Sequence, residues 1–202
     1  MQERSEELRT LACEQGFQYF SAQEIYRQGW VLTEQGQGKD GIIQMRRGMA
    51  ATQATGAELA KSFKLAWLAE AYGKVGQPEK GLAVLTEALA FADKTDERVN
   101  EAELYRLKGE LVLQSGVRGP ESQEENQKAK GKGQKAKIHN TQPLAPSTQE
   151  AEACFHKAIE IARHQQAKSL ELRAAMSLAR LRQGKAGAWL SHSKAEFLYT
   201  QE

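Results

Sequence analysis

Proline is scarce in this chain: of 202 residues only four are proline, and three of them fall between residues 120 and 146. The rest of the sequence therefore carries almost nothing that would interrupt a helix. Cysteine is scarcer still. Cys13 and Cys154 are far apart and have no Cys or His at metal-ligand spacing, so the sequence indicates neither a disulfide framework nor a zinc site, and both thiols are expected to be buried and inert. An excess of one charge is also missing, with 28 Lys plus Arg against 26 Asp plus Glu. Bulk electrostatics gives no pull toward nucleic acid or membrane. Long apolar runs are absent, and Met1-Gln2-Glu3-Arg4-Ser5-Glu6-Glu7 places acids where a signal peptide would need a basic start. The expectation is a soluble, cytoplasmic protein with no membrane contact.

What is present favours helices. Alanine (29) and leucine (20) outnumber valine plus isoleucine (12), and unbranched side chains lose less rotamer freedom in a helix. A repeat of about 40 residues orders them. Gly29, Ala69 and Gly109 are spaced by 40 and 40, each in the middle of a segment that reads as a helix. After a short turn each segment is followed by a second one with small residues seven apart and a larger one between: Gly41, Met45, Gly48, then Gly81, Leu85, Ala88. Small residues let two helices cross closely, and the large one fills the space beside the crossing. The third second-segment appears only once an insertion of about 30 residues is removed, as Ala151, Phe155 and Ala158.

The repeat divides the chain. Residues 1–114 hold a partial N-terminal helix (2–15, with Leu8 and Leu11 as its stripe), two full hairpins and the first helix of a third. Residues 115–150 read as a disordered insertion rich in Lys, Gly, Gln and Pro. Residues 151–183 supply the second helix of the third hairpin and the first helix of a fourth, and 184–202 form a divergent tail. The unpaired helix at 169–183 is expected to expose Leu170, Leu178 and Leu181 and so either to promote a homodimer through the open C-terminal end or to fray.

The stretch from Ala66 to Leu89 resembles the tetratricopeptide repeat (TPR) consensus, and the 40-residue period is similar to the MalT-like subgroup with its longer helices. Glu101-Ala102-Glu103-Leu104-Tyr105-Arg106-Leu107-Lys108-Gly109-Glu110-Leu111 and Leu170-Glu171-Leu172-Arg173-Ala174-Ala175 resemble the C-terminal TPR region of bacterial adenylate/guanylate cyclase and predicted-ATPase fusion proteins. The resemblance implies an all-α, right-handed superhelical solenoid of antiparallel hairpins. It implies an interaction scaffold in bacterial signalling or transcriptional regulation, with no cofactor and no catalysis of its own. Cyclase or ATPase signalling domains are its implied partners, and a regulatory or sensor fragment of such a protein is the alternative reading.

In TPR-like stacks the first helix of each hairpin lines the inner groove. That face gives Tyr26, Arg27, Trp30, Phe63, Trp67, Glu70, Lys74, Arg106, Glu110, Arg173 and Arg180 as a peptide-binding set, with aromatics to hold apolar side chains and arginines to hold carboxylates. Two other motifs weigh less. Gly36-Gln37-Gly38-Lys39-Asp40-Gly41 matches the dinucleotide pattern but follows a helical segment, so it reads as an inter-helix turn. The five lysines between Lys128 and Lys137 have no interleaved aromatic to stack a base, so weak nucleic-acid binding is their lesser reading and a solvated insertion the better one. His139, His156, His164 and His192 make no metal pattern.

Overall fold

The computed structural model describes residues 16–117 and 146–199, with side chains placed through residue 116 and from 147 to 184. Within these residues seven helices follow one another: α1 (Gln18–Glu34), α2 (Gly38–Ala54), α3 (Lys61–Lys74), α4 (Pro78–Thr95), α5 (Glu101–Val117), α6 (Pro146–His164) and α7 (Lys168–Tyr199). Among the described residues there is no strand, and no helix is long and apolar enough to cross a membrane. The expected helix at 2–15 and the lysine-rich segment lie outside the described residues.

The helices pair as α1 with α2, α3 with α4 and α5 with α6, and each pair also contacts the first helix of the next. First helices touch in sequence: α1 with α3, α3 with α5, α5 with α7. The crossings are as tight as the small residues allow. A Cβ built on Gly29 would lie 2.5 Å from the Met45 amide nitrogen and 2.6 Å from the Gly41 carbonyl oxygen, and one on Gly109 would lie 2.6 Å from the Phe155 ring. In the second hairpin Ala69 takes the place of Gly29, and Gly81 faces it in turn, its added Cβ 2.9 Å from the Ala69 carbonyl.

The core follows the same logic. Tyr26, Ile42, Met45, Leu68, Ala71 and Tyr72 form one cluster from α1, α2 and α3. Leu65, Leu85, Leu104, Leu107 and Leu111 centre a second from α3, α4 and α5, and Val112, Phe155, Ile159, Ala174 and Leu178 a third from α5, α6 and α7. Every cluster draws on one hairpin and the helix after it. A single hairpin therefore leaves its apolar surface uncovered until its neighbour arrives.

Turns recur at half the repeat. Gly16, Gly36, Gly56, Gly76 and Asp96 all have positive φ, 20 residues apart, and Gln166 takes the same conformation 70 residues after Asp96, which is one repeat plus the insertion. The Gly36–Gly41 segment is thus the turn between α1 and α2 with the start of α2.

Two boundaries differ from the sequence expectation. Helix occupies both ends of the segment assigned to the insertion: α5 extends to Val117, and α6 begins at Pro146, whose fixed φ suits a first helical position. The helix expected to stop at 183 continues to Tyr199. Gly184 and Gly187 do not end it, because they are single residues among Ala and Leu and no proline follows.

Candidate functional site

The first helices bring two groups of the expected site residues together. On α1 and α3 the Trp30 and Trp67 rings stack with centroids 5.0 Å apart, and Phe63 lies 4.4 Å from Trp67. All three side chains are half-buried, so each keeps part of its surface open. Beside them Lys74 bridges Glu70 at 3.4 Å and Glu34 more closely still. Burial pulls the Lys74 pKa down, but the hydrogen bond to Glu34 and the charges of Glu70 and Glu34 outweigh it and hold the pKa above its usual value. Arg27 is exposed on the same helix as Trp30.

On α5 and α7 the second group is a charge network. Arg106 donates to both Glu103 oxygens, at 2.7 and 2.8 Å, and to Glu110 at 2.5 Å. Arg173 reaches the same Glu103 at 2.9 Å, and the Ser177 hydroxyl donates to Glu110 at 2.9 Å. Burial alone would lower the Arg106 pKa; the hydrogen bond and charge of Glu103, with Glu110, raise it instead, so the guanidinium stays charged. Next to this network an open cleft of about 590 Å³ is lined by Leu113, Phe155 and Leu181 and by the polar Glu110, Ser177 and Arg180.

Two of the expected groove residues are not groove surface. Tyr26 is 2% exposed and donates its hydroxyl to the Lys64 carbonyl at 2.5 Å. Its backbone lies against α2, where only Gly48 leaves room, since a Cβ on Gly48 would lie 2.5 Å from the Tyr26 amide nitrogen, and its ring turns toward α3, stacked on Trp67 with centroids 6.3 Å apart. Arg106 is 6% exposed, and its guanidinium is already taken up by Glu103 and Glu110, so it cannot serve as a free anchor for a partner carboxylate. The open guanidiniums are those of Arg173, with half its side chain exposed, and Arg180.

Glu34, Glu103 and Ser177 were not among the expected residues, although the repeat contained a signal for two of them. Glu34 and Lys74 are one period apart, and Glu103 and Arg173 are one period plus the insertion apart. Residues in the same register of successive first helices are lateral neighbours, so opposite charges at that spacing pair.

Cys154 is buried as expected; burial raises its thiol pKa, opposed by the Lys108 charge, while Cys13 lies outside the described residues. His156 and His164 are exposed, and His156 lies near Arg182 and Glu152. Among the described residues no group of three His, Cys, Asp or Glu could hold a metal ion. Comparison with protein-family models, with curated proteins and with solved structures finds no match to this chain.

Proposed function

We propose that the chain is an interaction scaffold of the TPR-like, MalT-like kind, whose first helices line the concave side of a right-handed superhelix and bind an extended peptide or a protein segment there. The observation that carries this reading is the row of partly open aromatics, Trp30, Phe63 and Trp67, on the same run of helices as the open guanidiniums of Arg173 and Arg180. Aromatics and arginines are the residue types that dominate binding energy at interfaces. Here they are held by ring stacking and by Glu103, so little ordering is left for the moment of binding. The cleft beside Arg180 would take an apolar side chain of the ligand between Leu113, Phe155 and Leu181, with a neighbouring ligand carboxylate on Arg180.

The test is selection of peptides from a random library on the immobilised full chain, each scored against Arg173→Glu/Arg180→Glu. Both residues are exposed, but Arg173→Glu sets a like charge beside Glu103, so circular dichroism checks that the variant keeps the fold. Selected peptides should combine aromatic and acidic residues and lose at least about tenfold in affinity for the variant, a difference of about 1.4 kcal/mol. Peptides that bind both forms equally would rule out this face as the site.

A further inference from the structure

The cleft between α5, α6 and α7 holds two opposite charges that are not paired with each other. It is lined by Glu110 and Leu113 from α5, Phe155 from α6, and Ser177, Arg180 and Leu181 from α7. Leu170, Leu178 and Leu181, expected to be the open side of α7, instead face the rest of the stack; Leu178 is 7% exposed, and the other two are partly buried. Leu181 thereby becomes part of the cleft wall. Ser177 links the two charges: its hydroxyl donates to Glu110 Oε1 at 2.9 Å, and Arg180 follows it by three residues, about 4.5 Å along the helix axis. The Arg106 guanidinium donates to the same Oε1. Glu110 is therefore held by one oxygen, and among the described residues its Oε2 has no hydrogen bond. Arg180 likewise has neither a hydrogen bond nor an ion pair among the described residues.

The geometry points to this cleft as a binding site for a free α-amino acid with a large apolar side chain. A ligand that fills it has to bring a cation to Glu110 Oε2 and an anion to Arg180 within about one helical turn. An α-amino acid carries both charges on a single carbon. Its ammonium would donate to Oε2, its carboxylate would accept the N–H groups of Arg180, and its side chain would lie against Leu113, Phe155 and Leu181. A few polar groups set around an apolar wall are the usual make-up of a small-molecule site, and the cleft volume falls within the ordinary range of about 300–1,000 Å³. The terminal residue of a polypeptide carries only one of the two charges, so it would leave either Glu110 or Arg180 unanswered. The inference goes beyond the peptide-binding reading and concerns the cleft alone. A bound amino acid would take the space assigned above to a peptide side chain and compete with it there.

Isothermal titration calorimetry on the full chain tests this with L-phenylalanine and L-leucine, each beside its N-acetyl derivative, which lacks the ammonium, and its amide, which lacks the carboxylate. One molecule per chain should bind, and loss of either charge should weaken it at least about tenfold. Arg180→Gln should bind the amide as well as the acid, and Glu110→Gln should bind the acetylated form as well as the free amine. Arg180 is exposed, and a glutamine oxygen at 110 still accepts from Arg106 and Ser177, so both variants keep the fold, which circular dichroism checks. The assignment is overturned if neither amino acid approaches saturation by about 10 mM. It is equally overturned if the variants discriminate among the derivatives as the parent does. Peptide selection reports separately on the groove, because its ligands also meet Trp30, Phe63 and Trp67.

Discussion

Replacing glycine by alanine inside a helix ordinarily stabilises it by about 1 kcal/mol. At Gly29 the reverse is expected. The added Cβ would lie 2.5 Å from the Met45 amide nitrogen, 2.6 Å from the Gly41 carbonyl oxygen and 2.8 Å from Met45 Cγ. Two of these are backbone atoms of α2, so no side-chain rotation relieves them and the helices must part. Overpacking of this kind costs about 1–3 kcal/mol, and contact with backbone puts Gly29 at the upper end, leaving a net loss of about 2 kcal/mol after the propensity gain. For a chain of this size that lowers Tm by about 4–8 °C. Gly184→Ala is the matched control: it lies in α7 with nothing within 4 Å of the new methyl, and it should leave Tm unchanged or raise it. Thermal melts followed by circular dichroism on the two variants decide the matter. A Gly29→Ala protein as stable as the parent would show that α1 and α2 do not cross at this distance, and the reading of the 40-residue small-residue period would fall with it.

Three further outcomes follow from the site. Arg106→Leu leaves the largely buried Glu103 with Arg173 alone and the partly exposed Glu110 with Ser177 alone, and should cost about 1–3 kcal/mol by urea unfolding, whereas adding Glu103→Gln and Glu110→Gln should recover most of that loss. Cys154, 7% exposed with its thiol pKa raised by burial, should resist alkylation near neutral pH and react once the chain is unfolded in urea; rapid reaction in the native state would contradict its position in the α5–α6–α7 core. Hydrogen bonds from Arg163 and Lys168 hold Glu171 below the usual carboxylate pKa, so its stabilising effect is fully present above about pH 4.5 and is lost as pH falls through the depressed value. Glu171→Gln should therefore lower Tm at neutral pH and converge with the parent in acid; an equal gap at every pH would rule out the ionised pairing.

The hairpins were legible because their crossings need small residues at fixed intervals, and that constraint leaves a period visible in the sequence. The site was legible only in part. Tyr26 and Arg106 share a register with Ala66, and the alanine there was the sign that the position is buried between helices rather than groove surface. An arginine in such a place resembles a surface residue until its partners are counted. Glu103 and Glu110, three before and four after it on the same helix face, make its burial tolerable. At the other end residues 184–202 read as a divergent tail, whereas α7 runs on through Gly184 and Gly187 to Tyr199. A lone glycine weakens a helix by about 1 kcal/mol and need not end it.

The central claim is that the first helices present one binding face. Its most direct test is chemical-shift mapping of the isotope-labelled full chain on addition of a selected aromatic–acidic peptide. The Trp30 and Trp67 indole N–H signals and the resonances of Arg173 and Arg180 should shift together and saturate at a single ligand concentration, while the outer positions of α2 and α4, Arg47 and Glu87, stay unmoved. Shifts confined to the second helices, or none on α1, α3 and α7, would contradict it.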